Sequence, residues 1–536
     1  MKTKIQIAAT AVTLALCCGV TLFAADPQPK IVCILTDDSG SQDAACDSSA
    51  AQEEESNLET PNTMASLGSL QGSKPNIIVV LTDDQGYGQL GCQGHPWLET
   101  PHIDALSRES VVFDDFHMSP TCSPSRAAIL TGNVPFKSGV THTGGARARL
   151  ALSAVTLPQY LKQSGYTSGI FGKWHLGLEE AYQPGARGFD EVFVHGYGGI
   201  GQPLDVPQNK YVDPVIRHNG SFVKTKGFCT DVFFSQALAW IEQNKEKPFF
   251  AFISTNAPHS PFVAPQDKRE KFSRYGFKDS QQGFYGMIEN IDDNVGRLMA
   301  CLQAWDLDED TLVVFLSDNG FVSAGTGSGT LGIRDGEPLV AFNAGLKGAK
   351  KSPYEGGTKV PAFFRWKGVL QAGGVSQALT AHIDLLPTLV ELAGGDAPQA
   401  VDGKSLLPLL QNLDAPWDDR HLFFHIGRWG RNQADKSKYD KRPGRAGFAL
   451  RSARYRLVNH DELYDIQNDP GENEDISAQK PEVLQELRAA YDQWWDEVRP
   501  HMVNEGHQDM NPNPYHIQYK QQLKQGEISA WQTPEL

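Results

Sequence analysis

The segment Cys122-Ser123-Pro124-Ser125-Arg126-Ala127-Ala128-Ile129-Leu130-Thr131-Gly132 sets a thiol two residues before a proline and four before an arginine. A thiol does nucleophilic chemistry as its thiolate, which needs a nearby base or a depressed pKa, and a lone cysteine beside a proline is otherwise a structural residue. Two polar pairs flank it. Asp83-Asp84 follows the apolar run Ile77 to Leu81, and Asp318-Asn319 follows Leu312 to Leu316. Carboxylate and amide oxygens from two strand ends make a donor set for a hard cation, whereas a single Asp-Asp pair is equally a solvated turn or a helix cap. In Gly172-Lys173-Trp174-His175-Leu176-Gly177, strand alternation predicts Lys173 and His175 on one face. Ala257-Pro258-His259-Ser260-Pro261 offers a second imidazole, the side chain suited to proton transfer near neutral pH.

These residues need elements to bring them together. Apolar runs at Ser168 to Phe171, Phe249 to Ile253 and Leu312 to Leu316 alternate with helical patterns at Ile103 to Ser110, Leu157 to Ser164, Phe233 to Gln243 and Met287 to Trp305. That alternation predicts an α/β fold, a large and mostly parallel or mixed sheet flanked by helices on both faces. Ligands in such sheets sit beyond the carboxyl ends of the strands, where both polar pairs would converge. Past residue 400 the pattern changes to short strands at Phe448 to Arg451 and Tyr455 to Val458, then a helix from Pro481 to Val498. Leu484, Leu487, Tyr491, Trp494 and Val498 share one face of that helix. A smaller C-terminal α+β subdomain with an antiparallel sheet is therefore expected over 401–500, followed by a polar tail over 501–536.

At 536 residues the chain is a large α/β or multidomain protein. Its 48 basic against 64 acidic residues leave a net charge of −16, which argues against a broad nucleic-acid surface and requires any anionic substrate to meet a locally positive pocket. Lys2 and Lys4 precede an uncharged run from Ile5 to Phe23 that closes on Ala24-Ala25-Asp26-Pro27. This is the layout of a secretory signal over 1–25 and predicts export to a periplasmic or extracellular space; a retained anchor is the alternative. Residues 26–73 read as a low-complexity leader. Within it Ile31 to Asp38 nearly repeats Ile77 to Asp84, and the second copy is the one that leads into further motif sequence. Cys33, Cys46, Cys92, Cys122, Cys229 and Cys301 show no CxxC spacing, so no zinc or redox motif is present, while export permits one or two disulfides.

The Cys122 segment resembles the type I, formylglycine-dependent sulfatase family of the alkaline phosphatase superfamily, whose maturation signature is C-x-P-x-R within a longer C-x-P-S-R-x-x-x-x-T-G pattern. The resemblance covers roughly 74–475, makes 74–400 a catalytic domain, and implies an arylsulfatase-like sulfuric ester hydrolase. It implies that Cys122 is oxidised to formylglycine by a formylglycine-generating enzyme before folding is complete. One hydroxyl of the aldehyde hydrate would attack sulfur, and deprotonation of the other would expel sulfate, splitting one hard displacement into two steps. Asp83, Asp84, Asp318 and Asn319, together with residue 122, would hold one metal ion, usually Ca²⁺ in the family. Arg126 belongs to the catalytic set. Lys173 would contact sulfate or the hydrate, His175 would handle a hydrate proton, and His259 would contact sulfate and protonate the leaving oxygen.

Leu346-Lys347-Gly348-Ala349-Lys350-Lys351-Ser352-Pro353-Tyr354-Glu355-Gly356-Gly357 resembles the family block L-R-G-x-K-x-x-x-x-E-G-G. Counting back from Glu355 selects Lys350 as the sulfate-binding lysine, with Lys351 as the alternative, and Lys347 stands where arginine is usual. Three Asp ligands and a divalent ion sum to −1, and Arg126, Lys173 and Lys350 raise that to +2, enough to receive a monoanionic sulfate ester. Export and the rim candidates Trp240, Trp366 and Trp429 point to a sulfated carbohydrate. Specificity is expected in loops at 206–227 and 321–342. The resemblance also admits a phosphonate or phosphate ester hydrolase, or a glycan-binding protein without turnover.

Overall fold

The computed structural model describes residues 69–322, 330–396, 398–429, 447–505 and 512–535. The expected signal over 1–25, most of the leader and the repeat at 31–38 lie outside the described residues. The leader's last residues belong with the domain: Leu70 is buried, and the Gly72 and Lys74 N–H groups donate to Glu391 O and Leu392 O at 2.9 and 3.0 Å.

The strand Asn76–Thr82 is apolar on both faces because both faces are covered. Ile77, Val79 and Leu81 pack with Ala127, Ile129 and Leu130 in one core, and Ile78 and Val80 pack with Met287, Ile291 and Val295 in the other. Burying each such side chain contributes about 1.5–3 kcal/mol. The sheet has 11 strands in the order Val375–Ser376, Val111–Phe113, Ala362–Arg365, Thr311–Ser317, Asn76–Thr82, Phe249–Ser254, Thr167–Lys173, Glu191–His195, Val215–His218, Ser221–Lys224 and Ser529–Ala530. The central strands from Thr311–Ser317 to Glu191–His195 are mutually parallel, so their carboxyl ends share one edge. Thr82 lies opposite Ser317, Leu81 opposite Ser254, Gly172 opposite Ser254 and Lys173 opposite His195.

A separate sheet of 4 antiparallel strands, Leu422–His425, Phe448–Arg451, Tyr455–Val458 and Glu462–Asp465, packs against the helix Pro481–Val498 through Leu484, Leu487, Tyr491, Trp494 and Val498. This matches the α+β arrangement expected of the C-terminal part.

Three expectations are corrected. Residues 501–536 are not simply a polar tail: Pro514–Gln525 is a helix with Tyr515 buried, Ser529–Ala530 pairs with Val223 and Lys224, and Trp531 packs with Phe193. The few apolar residues there carry no periodicity, and the unpaired sheet edge that receives them lies 300 residues earlier in the chain. The stretches 206–227 and 321–342 are not loops throughout. The first contains the paired strands Val215–His218 and Ser221–Lys224, and the second the hairpin Thr330–Arg334 and Glu337–Val340. Trp240, Trp366 and Trp429 do not stand on a rim, since each is at most 7% exposed. Cys92, Cys122, Cys229 and Cys301 are free thiols, so no disulfide forms among the described residues.

Candidate active site

Where the parallel strands end, the chain delivers polar side chains into a buried pocket. Asp83 and Asp84 directly follow their strand, Asp318 and Asn319 follow the neighbouring one, and all four are buried. The Asp318 N–H donates to Thr82 O at 2.9 Å, which locks the two pairs side by side. Asp84 adopts a left-handed conformation, φ 76°, which Asp tolerates better than most residues, and so turns the chain away from the sheet. Cys122 is the first residue of the helix Cys122–Thr131, where the positive end of the helix dipole favours negative charge. Ligand atoms of Asp83, Cys122 and Asp318 all lie within 4.8 Å of one another, as do those of Asp83, Asp84 and His259.

Each acid has a buried cation. Arg126 donates through Nε and Nη2 to Asp318 Oδ2 at 3.0 and 2.8 Å, through Nη1 to Lys173 O at 2.9 Å, and to Ser254 Oγ. Lys173 Nζ donates to Asp83 Oδ2 at 2.6 Å, with both side chains fully buried, and Lys350 Nζ donates to Asp84 Oδ1. Gly172 makes the first of these positions possible. At φ 118° its backbone runs so close to Ser254 that a Cβ would meet Ser254 O at 2.0 Å.

Burial, followed by the neighbouring charge of Asp318, pushes the Asp83 carboxyl well above the usual range, more than Lys173 can offset. Burial also penalises the Asp84 carboxylate, but Lys350, His259 and Lys173 outweigh it and hold the group well below the usual range. Asp318 is likewise lowered by Arg126 and Lys173 against its burial. The Cys122 thiol is lowered because Lys173 and Lys350 overcome its burial. Buried Asp83 Oδ1 and Asn319 Oδ1 have no hydrogen-bond partner. Three carboxylates, one of them pushed toward its neutral form, and a free amide oxygen mark a pocket short of one hard, oxygen-binding cation, so the donor set fits a divalent ion.

His175 is presented differently from the strand-alternation reading. The strand ends at Lys173, and His175 is reached through a left-handed residue, φ 65°, with Nε2 at 3.0 Å from Thr143 O. Burial, then Lys173 and Arg126, keep it neutral. His259 Nε2 lies 3.8 Å from Asp84 Oδ2, and its Nδ1 lies 2.6 Å from Ser260 O. Burial lowers its pKa to about 4 despite Asp84. Tyr211 OH donates to His259 O at 2.9 Å and steadies this turn, a role that nothing in the sequence around Tyr211 signals.

Register alone left Lys350 and Lys351 open, and the fold separates them. Lys350 reaches Asp84 while the Lys351 side chain is exposed at φ 68°. Lys347 turns away from the pocket to donate to Tyr464 OH at 2.9 Å, with its ammonium 4.4 Å from the Tyr354 ring centre.

The Lys350 segment is gripped by the C-terminal sheet. Buried Arg456 donates through Nη1 to Glu355 Oε1 at 2.6 Å, through Nε to Pro353 O at 2.9 Å, and through Nη2 to Thr358 Oγ1 at 3.0 Å. Arg451 Nε adds 3.2 Å to the same Glu355 oxygen, and the Glu355 N–H donates to Glu472 Oε2 at 2.9 Å. Burial opposes ionisation of Glu355, but His117, Arg456 and Arg451 hold it at about 2. Removing one member of such a buried network strands the others, so Arg456→Ala should lower unfolding stability by about 3–5 kcal/mol. Urea unfolding measures this, and an unchanged midpoint would contradict the grip.

The family model described as Sulfatase matches residues 75–395, and that described as N-sulphoglucosamine sulphohydrolase, C-terminal, matches residues 349–499. Human N-acetylgalactosamine-6-sulfatase is 34% identical over 381 residues, 66% of this chain and 68% of the relative. Human arylsulfatase A is 31% identical over 475 residues, 77% of this chain and 86% of the relative. The solved structure of Ps i-CgsB in complex with k-i-k-neocarrahexaose superposes with a TM-score of 0.70 at 26% identity, covering 84% of this chain and 99% of that one.

Proposed function

Because the chain belongs to the sulfatase family and is a sulfuric ester hydrolase, we propose that it removes sulfate from a sulfated carbohydrate, using residue 122 as formylglycine beside a divalent ion. The observation that carries this reading is the convergence of Cys122, Asp83 and Asp318 within 4.8 Å, with Lys173 and Lys350 on the same carboxylates. Asp83, Asp84, Asp318 and Asn319 would hold the ion, Ca²⁺ in keeping with the family, which when bound orients and acidifies the hydrate and polarises a sulfate oxygen. Oxidised residue 122 supplies the nucleophile and, by its second hydroxyl, the means of releasing sulfate.

The chain's own groups do the rest. Lys173 and Lys350, held at the pocket by Asp83 and Asp84, would supply positive charge to the sulfate oxygens. Arg126, already saturated by Asp318, Lys173 O and Ser254, positions the acid and the strand end and does not reach for substrate. Neutral His259, at the outer side of Asp84, would contact sulfate and, once protonated, pass a proton to the leaving oxygen. Neutral His175, with Nδ1 unpartnered, would accept a proton from residue 122. Carbohydrate as the substrate class is supported by relatives named for N-acetylgalactosamine-6-sulfatase activity and by the neocarrahexaose in the solved neighbour. Maturation by a formylglycine-generating enzyme and export through the N-terminal segment complete the reading. Among the described residues no helix is long and apolar enough to cross a membrane.

Inorganic sulfate release from a panel of sulfated sugars, set against phosphate release from matched esters, tests it. Sulfate should dominate; preferential phosphate release would make the protein a phosphate or phosphonate ester hydrolase instead.

A further inference from the structure

We propose that Lys351 and Arg428 form a second anion subsite beside the sulfate pocket, which takes an additional sulfate or carboxylate on the sugar next to the one being cleaved. The inference rests on the sulfated-carbohydrate reading above and deepens it to a polyanionic glycan.

Two backbone tethers hold the segments that carry these residues against stretches of chain that lead into the pocket. The Lys351 N–H donates to Pro120 O at 2.9 Å, two residues before Cys122, while the preceding Lys350 reaches Asp84. The Arg428 N–H donates to Thr141 O at 3.3 Å, and Gly427 is pressed so close that a Cβ there would meet Thr141 O at 1.9 Å. Two residues on, Thr143 O contacts His175 Nε2. A three-residue span thus joins Arg428 to the pocket. Trp429 is pinned as well: its carbonyl lies 2.8 Å from His142 Nε2 and 3.0 Å from Arg147 Nη1, and its indole N–H donates to Glu505 at 2.6 Å. Both Lys351 and Arg428 adopt left-handed backbone, φ 68° and 62°, a conformation that costs non-glycine residues energy unless the surroundings impose it.

The charge balance points to an anion. Two acids lie on these segments and both are occupied: Asp84, whose charge reaches Lys351, is held by Lys350, and Glu505 by Thr141, Trp429 and Arg147, the last at 3.7 Å. Among the described residues neither Lys351 nor Arg428 has an ion-pair partner, whereas Lys173, Lys350 and Lys137 are all paired. Partial desolvation and then the charge of Arg428 hold the Lys351 ammonium below its usual range, ahead of the effect of Lys350. Two exposed, mutually repelling cations in a chain of net charge −16 are relieved by an anion placed between them.

The test compares kcat/KM for 4-methylumbelliferyl sulfate and for monosulfated, disulfated and uronate-bearing monosulfated disaccharides, using the full chain, Arg428→Gln, and the Arg428→Gln/Lys351→Gln pair. The wild-type protein should favour a doubly anionic disaccharide over the monosulfated one by about tenfold or more. The double variant should lose that preference through KM and keep the rate on the aryl ester. The disulfated and uronate arms separate a second sulfate from a carboxylate. A preference that survives in the double variant, or an equal loss on every substrate, overturns the subsite. If no substrate releases sulfate, the sulfatase reading fails. Calorimetric binding of the disulfated disaccharide to Cys122→Ala protein still decides the subsite: the paired substitutions should weaken binding about tenfold, and unchanged affinity would refute it.

Discussion

Cys122→Ala should abolish sulfate release, with kcat falling by at least about 10³-fold, because removal of a covalent nucleophile leaves only the binding and electrostatic parts of catalysis. The variant should fold. Cys122 is 3% exposed at the start of a helix whose remaining residues are also buried, and alanine removes one sulfur from the pocket without adding bulk or a polar group. The pocket's charges should survive the change, since the acids keep their partners Arg126, Lys173 and Lys350. Circular dichroism and urea midpoint establish the fold, and inorganic sulfate measures turnover. Activity within tenfold of the wild type would end the aldehyde mechanism. The companion observation is the mass of the peptide that carries residue 122, which should be about 18 Da lighter than with intact cysteine. An unshifted mass in active protein would contradict the modification.

Asp318→Asn should cost about 10²–10⁴-fold in turnover together with most of the bound metal. The substitution is nearly isosteric, so its effect is electrical. Asp318 Oδ2 receives both Nε and Nη2 of Arg126, and the Asp84 N–H donates to Oδ1 at 3.3 Å. An amide in its place loses the charge that balances a guanidinium 1% exposed, and removes one of three carboxylates from the cation pocket. Stability should fall too, by several kcal/mol, because Arg126 is left as an unpaired buried charge. Metal per chain, measured by mass spectrometry after dialysis, separates the two consequences. Chelation of the wild-type protein should reproduce the activity loss and readdition of Ca²⁺ should reverse it. Full metal content and full rate in Asp318→Asn would sink the assignment of these four residues to one ion.

Much of this site could be read along the chain because each donor group is adjacent to the element that presents it. Asp83-Asp84 and Asp318-Asn319 follow strands whose apolar runs are continuous, and Cys122 opens a helix within its own motif. The strand and helix boundaries at Phe448–Arg451, Tyr455–Val458 and Pro481–Val498 were likewise local, set by alternation, a turn and a proline at the first helical turn. The readings that failed needed distant partners. Trp240, Trp366 and Trp429 could be placed on a rim only while the core that buries them was unknown. The strand ends at Lys173, so alternation does not describe how His175 is presented; its left-handed backbone does.

The order of chemical groups, the strand ends that carry them and the resemblance of the whole pattern to sulfatases are properties of short contiguous stretches, so the linear chain alone determined them. Which of two adjacent lysines meets Asp84, which arginines from the last sheet grip Glu355 across 96 and 101 residues, and how 512–535 returns to the main sheet were decided by tertiary structure. Pairings of that kind depend on charge balance and on strand edges created by segments far apart in the chain, and no local pattern of residue types encodes a partner that distant.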